Sequence, residues 1–85
     1  MPPAITFYFK PFCPWCAEVR EVLKRHNIPA DERNVIKDPA MMEEMVRRTG
    51  QDKAPCVDID GHMLVDVGGK EVEAYLKEKG HIKGK

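Results

Sequence analysis

Hydrophobic and polar positions along the chain change period several times, and each change marks an element. Ala4 to Lys10 is apolar, aromatic and β-branched (Ile5, Thr6, Phe7, Tyr8, Phe9) without helical spacing, which predicts a buried strand ended by Pro11. From Cys13 onward the spacing turns helical, with Cys16, Val19 and Leu23 on one face and Glu18, Arg20, Glu21, Lys24 and Arg25 mainly on the other. Glu21 and Arg25 stand four apart in the favourable order for an ion pair, and Asn27 before Ile28-Pro29 supplies a C-terminal stop.

Ala30 to Ile36 is polar except at Val35 and Ile36 and is assigned to a short strand, more from its position than from its pattern. Asp38-Pro39 then opens a second helix as N-cap and first helical residue; Met41, Met45 and Val46 form its apolar stripe, and Thr49-Gly50 closes it. The methionines read as adaptable core filler. Cys56 to Ile59 and His62 to Val65 flank Asp60-Gly61, a dipeptide suited to a two-residue hairpin because both positions tolerate positive φ. After Gly68-Gly69, Val72, Tyr75 and Leu76 recur at helical spacing with Glu73 and Lys77 four apart outside, giving a third helix that ends at Gly80. The order strand, helix, strand, helix, strand, strand, helix implies one α/β domain over residues 1–85, a four-stranded mixed sheet with three helices on its faces.

Composition narrows the function. In a chain of 85 residues, 14 Lys+Arg balance 14 Asp+Glu, so the electrostatic surplus that phosphate backbones demand is missing, and the short basic tail from His81 to Lys85 does not supply it. No stretch reaches the ~18 apolar residues of a membrane span, and Met-Pro-Pro-Ala does not open like an export signal. The expectation is a cytoplasmic monomer that binds neither nucleic acid nor membrane. In a reducing compartment three cysteines, an odd count, serve as redox centres, nucleophiles, ligands or small hydrophobes rather than as structural disulfides.

Cys13-Pro14-Trp15-Cys16 carries the chemistry, a Cys-x-x-Cys where a buried strand hands over to a helix. Unpaired N–H groups and the positive end of the helix dipole favour a thiolate at Cys13, making it the nucleophile. Cys16, almost a turn further in and less exposed, is placed to resolve a mixed disulfide. Pro14 loses no helical donor there, and Lys10 adds positive charge nearby. The competing use of such a pair is half a zinc site, for which the remaining candidates are Cys56 and the scattered His26, His62 and His81, with no second knuckle; no metal is expected. Cys56 reads either as a small hydrophobe opening a strand or as a third redox thiol near Cys13. The histidines read as solvated strand, helix-end and tail residues.

With these motifs, Lys10 to Cys16 (KPFCPWC), Thr49 to Val57 (TGQDKAPCV), the Asp60-Gly61 hairpin and Gly68-Gly69, the chain resembles the glutaredoxin family over nearly its whole length. The resemblance implies a thioredoxin-like fold and a dithiol–disulfide oxidoreductase that reduces protein disulfides and glutathione mixed disulfides, with glutathione as co-substrate. It further implies that Pro55 is a cis-proline facing the cysteines and that the backbone of Ala54 pairs with glutathione. One glutathione carboxylate would lie near Lys10 and Gln51, the other at the helix after Gly69, where the N–H groups of Gly69 and Lys70 would form an anion site. Trp15, often Tyr in the family, would border the groove. Two departures stand out: Ala54 replaces the usual Val, and Gly69-Lys70-Glu71-Val72 lacks the Asp that holds the glutathione ammonium, with Glu71 one position early as its substitute. Two alternatives follow, a thiol carrier reset by a thioredoxin reductase, and a metal or iron–sulfur carrier with Cys13 as ligand.

Overall fold

The computed structural model describes residues 2–83, so Gly84 and Lys85 of the basic tail lie outside the described residues. Seven elements follow the predicted order: β1 (Ile5–Phe9), α1 (Pro14–Arg25), β2 (Asp31–Asn34), α2 (Pro39–Thr49), β3 (Cys56–Ile59), β4 (His62–Val65) and α3 (Gly69–Glu78). The sheet runs β2-β1-β3-β4, with β1 parallel to β2, antiparallel to β3, and β4 antiparallel to β3.

The central place of β1 explains why it reads as an unbroken apolar run, since both of its faces are covered. Ile5 and Phe7 join Val57 and Ile59 under α1 and α3, where Val19, Val22, Leu23, Val72 and Leu76 complete the main core. Tyr8 points the other way and meets Val35, Met45 and Cys56 beneath α2. The cross-strand register, Phe7 opposite Val57 and Tyr8 opposite Cys56, keeps the two sets on separate faces.

Local chemistry sets the element ends. Asp38 caps α2 by accepting the Ala40 N–H at 3.1 Å, with Pro39 in the first turn. Asn27 adopts φ 56° past the end of α1, where the Ile28 N–H reaches the Leu23 carbonyl at 2.8 Å and the Asn27 N–H reaches that of Lys24 at 3.0 Å, a Schellman closure. Asp60 and Gly61, at φ 52° and 93°, make the hairpin turn that joins β3 to β4.

Several expectations need correction. The second strand is shorter than Ala30 to Ile36, because Val35 turns into the core after Asn34 and Ile36 is exposed. Its four polar residues form a charged sheet edge, which protects against edge-to-edge pairing. Val46 is exposed rather than part of the α2 stripe, and Met41 and Met42 pack partly against the second core. Neither predicted intrahelical ion pair is the one that forms. Glu73 instead accepts from Arg25 at 2.9 Å and lies 2.9 Å from His26 Nε2, because α1 and α3 lie side by side and bring these flanks together. Both Arg25 and His26 hold Glu73 below the usual carboxylate range, His26 through the larger, hydrogen-bonding effect.

On the other face a polar network seals the smaller core. The buried Tyr8 hydroxyl donates to Glu44 and accepts from Arg48 Nη1 at 2.8 Å, while Arg48 also pairs with Asp58 and Arg33 with Glu44. Burial, together with the Glu44 contact, pushes the Tyr8 phenol up.

The seat of α3 on α1 leaves no room for a side chain at Gly69. A Cβ at Gly69 would lie 2.9 Å from Glu18 Cβ and 3.0 Å from the Glu18 carbonyl oxygen, so the two helices meet through bare backbone. Gly69→Ala is therefore expected to cost about 1–3 kcal/mol through overpacking, read as a lower urea midpoint at unchanged slope.

Candidate active site

The site stands where β1 gives way to α1. Cys13 is the N-cap of α1 in extended geometry, and its own N–H closes the preceding turn on the Lys10 carbonyl at 3.3 Å. Its sulfur accepts the Cys16 N–H at 3.1 Å, the position a Ser or Asp oxygen ordinarily takes at a helix start. The first-turn N–H of Cys16 and the positive end of the helix dipole therefore both face this sulfur. Pro14 occupies the first turn, and both cysteines of the pair are free thiols.

Cys16 is different in kind. It is 1% exposed and sits in the main core, with the Lys10 backbone N–H 3.5 Å from its sulfur. Burial, and then the hydrogen bond and charge of Cys13, push its thiol up to about 12, against smaller opposing effects from the Lys10 N–H and the Arg20 guanidinium.

Ala54 and Pro55 complete the mouth of the site. Their peptide bond is cis, the Ala54 carbonyl lies 3.9 Å from Cys13 Sγ, and Ala54 precedes the β3 ladder, which begins at Cys56. Phe12, 97% exposed, and Trp15, 59% exposed, flank Cys13 in sequence and present bare aromatic surface beside it.

From Trp15 a groove of about 510 Å³ runs to the start of α3, lined by Glu18, Asp66, Val67, Gly68, Lys70 and Glu71. Of the two N–H groups expected to form an anion site there, Gly69 and Lys70, that of Gly69 already has a partner. The Gly69 N–H already donates to Glu18 at 3.3 Å, and the Gly68 N–H to Glu71 at 2.9 Å. Glu71, in the first turn of α3, folds back as a capping residue, and Glu18 stands on the α1 flank against which Gly69 is seated. Read along the sequence, Glu18 is one of several solvated charges on α1; its place three residues after Trp15, on the same flank, is the signal that it shares the groove.

The remaining candidates fall elsewhere. Lys10 acts on the cysteines through its backbone. The Gln51 amide is occupied by its own loop, donating to Thr49 Oγ1 and the Lys53 carbonyl at 3.1 Å and to Cys56 Sγ at 3.3 Å while accepting the Lys53 N–H at 2.7 Å. Cys56 is fully buried, donates to the Lys53 carbonyl at 3.2 Å, and is pushed up chiefly by burial. It belongs to the Tyr8 face of the sheet, and Cys16 to the other. His26 pairs with Glu73, His62 stacks on Tyr75 at 4.9 Å and His81 lies 3.7 Å from Asp60, all away from the thiols. Among the described residues no group of three or more His, Cys, Asp and Glu side chains is arranged to hold a metal ion, and no helix is long and apolar enough to cross a membrane.

Residues 5–64 match the family model described as Glutaredoxin. The chain belongs to the glutaredoxin family. An uncharacterised glutaredoxin-like 8.6 kDa protein of the rubredoxin operon of Clostridium pasteurianum is 34% identical over 87% of this chain and 99% of its own length. A thioredoxin-like protein known from its crystal structure superposes with a TM-score of 0.74 at 30% identity, over 82% of this chain and 96% of that one. The solution structure of the glutaredoxin from Brucella melitensis gives 0.64 at 27% identity, over 91% and 80%. Family and fold together make this glutaredoxin a thiol–disulfide oxidoreductase, with a thioredoxin-like architecture.

Two outcomes follow from the unequal thiols. Brief iodoacetamide treatment of the folded glutaredoxin at neutral pH should label Cys13 alone, with Cys16 and Cys56 labelled only after denaturation, as read by peptide mass spectrometry. The second concerns pH. Cys16 has a folded value of about 12 against an ordinary value of 9.0, so the folded chain keeps a proton that the unfolded chain releases between these limits. Its contribution is complete below pH 9 and is lost as pH rises toward 12, by at most ~1.4 kcal/mol per pH unit. Stability of the reduced protein should therefore fall more steeply across that window than stability of Cys16→Ser, measured by urea unfolding.

Proposed function

We propose that this glutaredoxin reduces protein disulfides and glutathione mixed disulfides in the cytoplasm, with glutathione as the reductant that resets it. The observation that carries the reading is the asymmetry of the pair: Cys13 caps a helix at the surface, while Cys16 is buried and held protonated beside it. The Cys13 thiolate attacks one sulfur of the substrate disulfide. A Cys13–substrate bond forms, the old sulfur–sulfur bond breaks, and the departing sulfur leaves with the electron pair and takes a proton from water.

That step changes Cys16. Once Cys13 is in a mixed disulfide it carries no charge, so part of what held the Cys16 thiol up is removed, while the Lys10 N–H and Arg20 still favour its thiolate. Cys16 then gives its proton to solvent and attacks Cys13 Sγ. The substrate leaves as a reduced thiol and the protein is left as the Cys13–Cys16 disulfide. Two glutathiones return it to the dithiol, the first forming a mixed disulfide at Cys13 and the second leaving with it as oxidised glutathione. The Ala54 backbone beside Cys13 supports docking of an extended peptide, and Trp15 supports a groove wall for the same partner.

A second reading, reset by a thioredoxin reductase, is favoured by the two carboxylates that occupy the N–H groups at the start of α3. Both readings require Cys13. With a glutathionylated peptide, glutathione, glutathione reductase and NADPH, Cys16→Ser should retain turnover and Cys13→Ser should lose it by at least ~100-fold, the scale of removing an activated nucleophile. With a protein disulfide both variants should be inactive. Turnover by Cys13→Ser would sink the assignment; turnover of the parent with reductase but none with glutathione would select the second reading.

A further inference from the structure

The groove that runs from Trp15, two residues after Cys13, to the start of α3 is unusual in what its own residues do to it. Three carboxylates, Glu18, Asp66 and Glu71, face one ammonium, Lys70. Two of those carboxylates take the N–H groups of Gly68 and Gly69. A Cβ placed on Gly68 would lie 3.1 Å from Glu71 Oε1, 3.3 Å from Glu18 Oε1 and 3.4 Å from Trp15 Cδ1, so both acids and the indole converge on one point of the groove floor.

Such an arrangement has a direct consequence for charged substrates. An incoming carboxylate must displace Glu18 or Glu71 from its N–H donor or remain beside it without that partner, and either costs binding free energy. A substrate lacking a carboxylate meets no such opposition. Glu71 is bound within its own helix turn as a cap, whereas Glu18 reaches across from α1, whose backbone at Glu18 is seated against Gly69.

We infer that Glu18 is a specificity-determining residue: it occupies the Gly69 N–H and discriminates against disulfides whose substituents carry carboxylates that reach this groove, glutathione disulfide among them. The inference rests on the reading that Cys13 reacts with such disulfides, and it deepens that reading by naming the residue that sets their rate. Glu18 touches no reacting atom, so its effect should appear in the choice between substrates and leave the reactivity of Cys13 unchanged.

The test uses the full chain carrying Cys16→Ser, in which the mixed disulfide at Cys13 accumulates and is counted by intact mass. Two probes are compared, oxidised glutathione, which carries carboxylates, and bis(2-hydroxyethyl) disulfide, which carries none. Glu18→Gln removes the charge and Glu18→Ala removes the acceptor as well. In both variants the glutathione-to-hydroxyethyl rate ratio should rise about five- to tenfold, the scale of removing a like charge a few ångströms away. The hydroxyethyl rate itself should stay within about twofold, as expected for an exposed charge remote from the sulfur. Added salt should raise the same ratio in the parent and move it less in the variants.

An unchanged ratio in both variants would overturn the inference. So would a parallel change in both rates, which would place Glu18 in the chemistry of Cys13. A parent that reacts with neither probe would overturn the thiol–disulfide reading itself, and the inference with it, a result distinct from either of the others.

Discussion

A sulfur caps the first helix, and the rest of the site depends on that substitution. The N–H groups at a helix start need acceptors, and in α1 one of them, on Cys16, is met by Cys13 Sγ at 3.1 Å. The same contact that starts the helix therefore orients the Cys13 sulfur. It also makes the second thiol respond to the first, because Cys16 belongs to the turn that the cap organises and feels the hydrogen bond and charge of Cys13 directly. Fold and chemistry share one interaction: the cap that opens α1 also sets the two thiols side by side.

Around that cap the scaffold is stiff where it must be. β1 leads into the turn from the middle of the sheet, held on one side by β2 and on the other by β3. Arg20 ties α1 to the β2 edge through Glu32 at 3.0 Å and lies 4.7 Å from the centre of the Phe9 ring, just before the turn. At the far end of α1 the Arg25–Glu73–His26 cluster holds the helix against α3. These restraints hold both ends of α1 against its neighbours in the fold.

Much of this was legible in the sequence, for physical reasons that differ by element. The β1 run, the Asp60-Gly61 turn and the Asp38-Pro39 cap are local signals whose meaning does not depend on distant residues, and the structure places each as the pattern predicts. The ion pairs were not legible, because surface charges choose partners according to which helices become neighbours; Glu73 looks toward Lys77 in the sequence and toward Arg25 and His26 in the fold. The candidate site divides in the same way. Cys13 and Cys16 announce themselves by spacing and position. Gln51 and the Gly69 N–H do not reveal that they are already engaged, one by its own loop and the other by Glu18, since both engagements arise only once the chain has closed.

The separation of the thiols by the sheet carries one more implication. Cys56 lies beneath α2 with Tyr8 and Met45, while Cys16 lies beneath α1 and α3, and β1 and β3 stand between the two compartments. The folded chain sets Cys13 and Cys16 together at the start of α1 and buries Cys56 in the other compartment. A change at the Cys13–Cys16 pair and a change at Cys56 would thus act on different compartments of the fold.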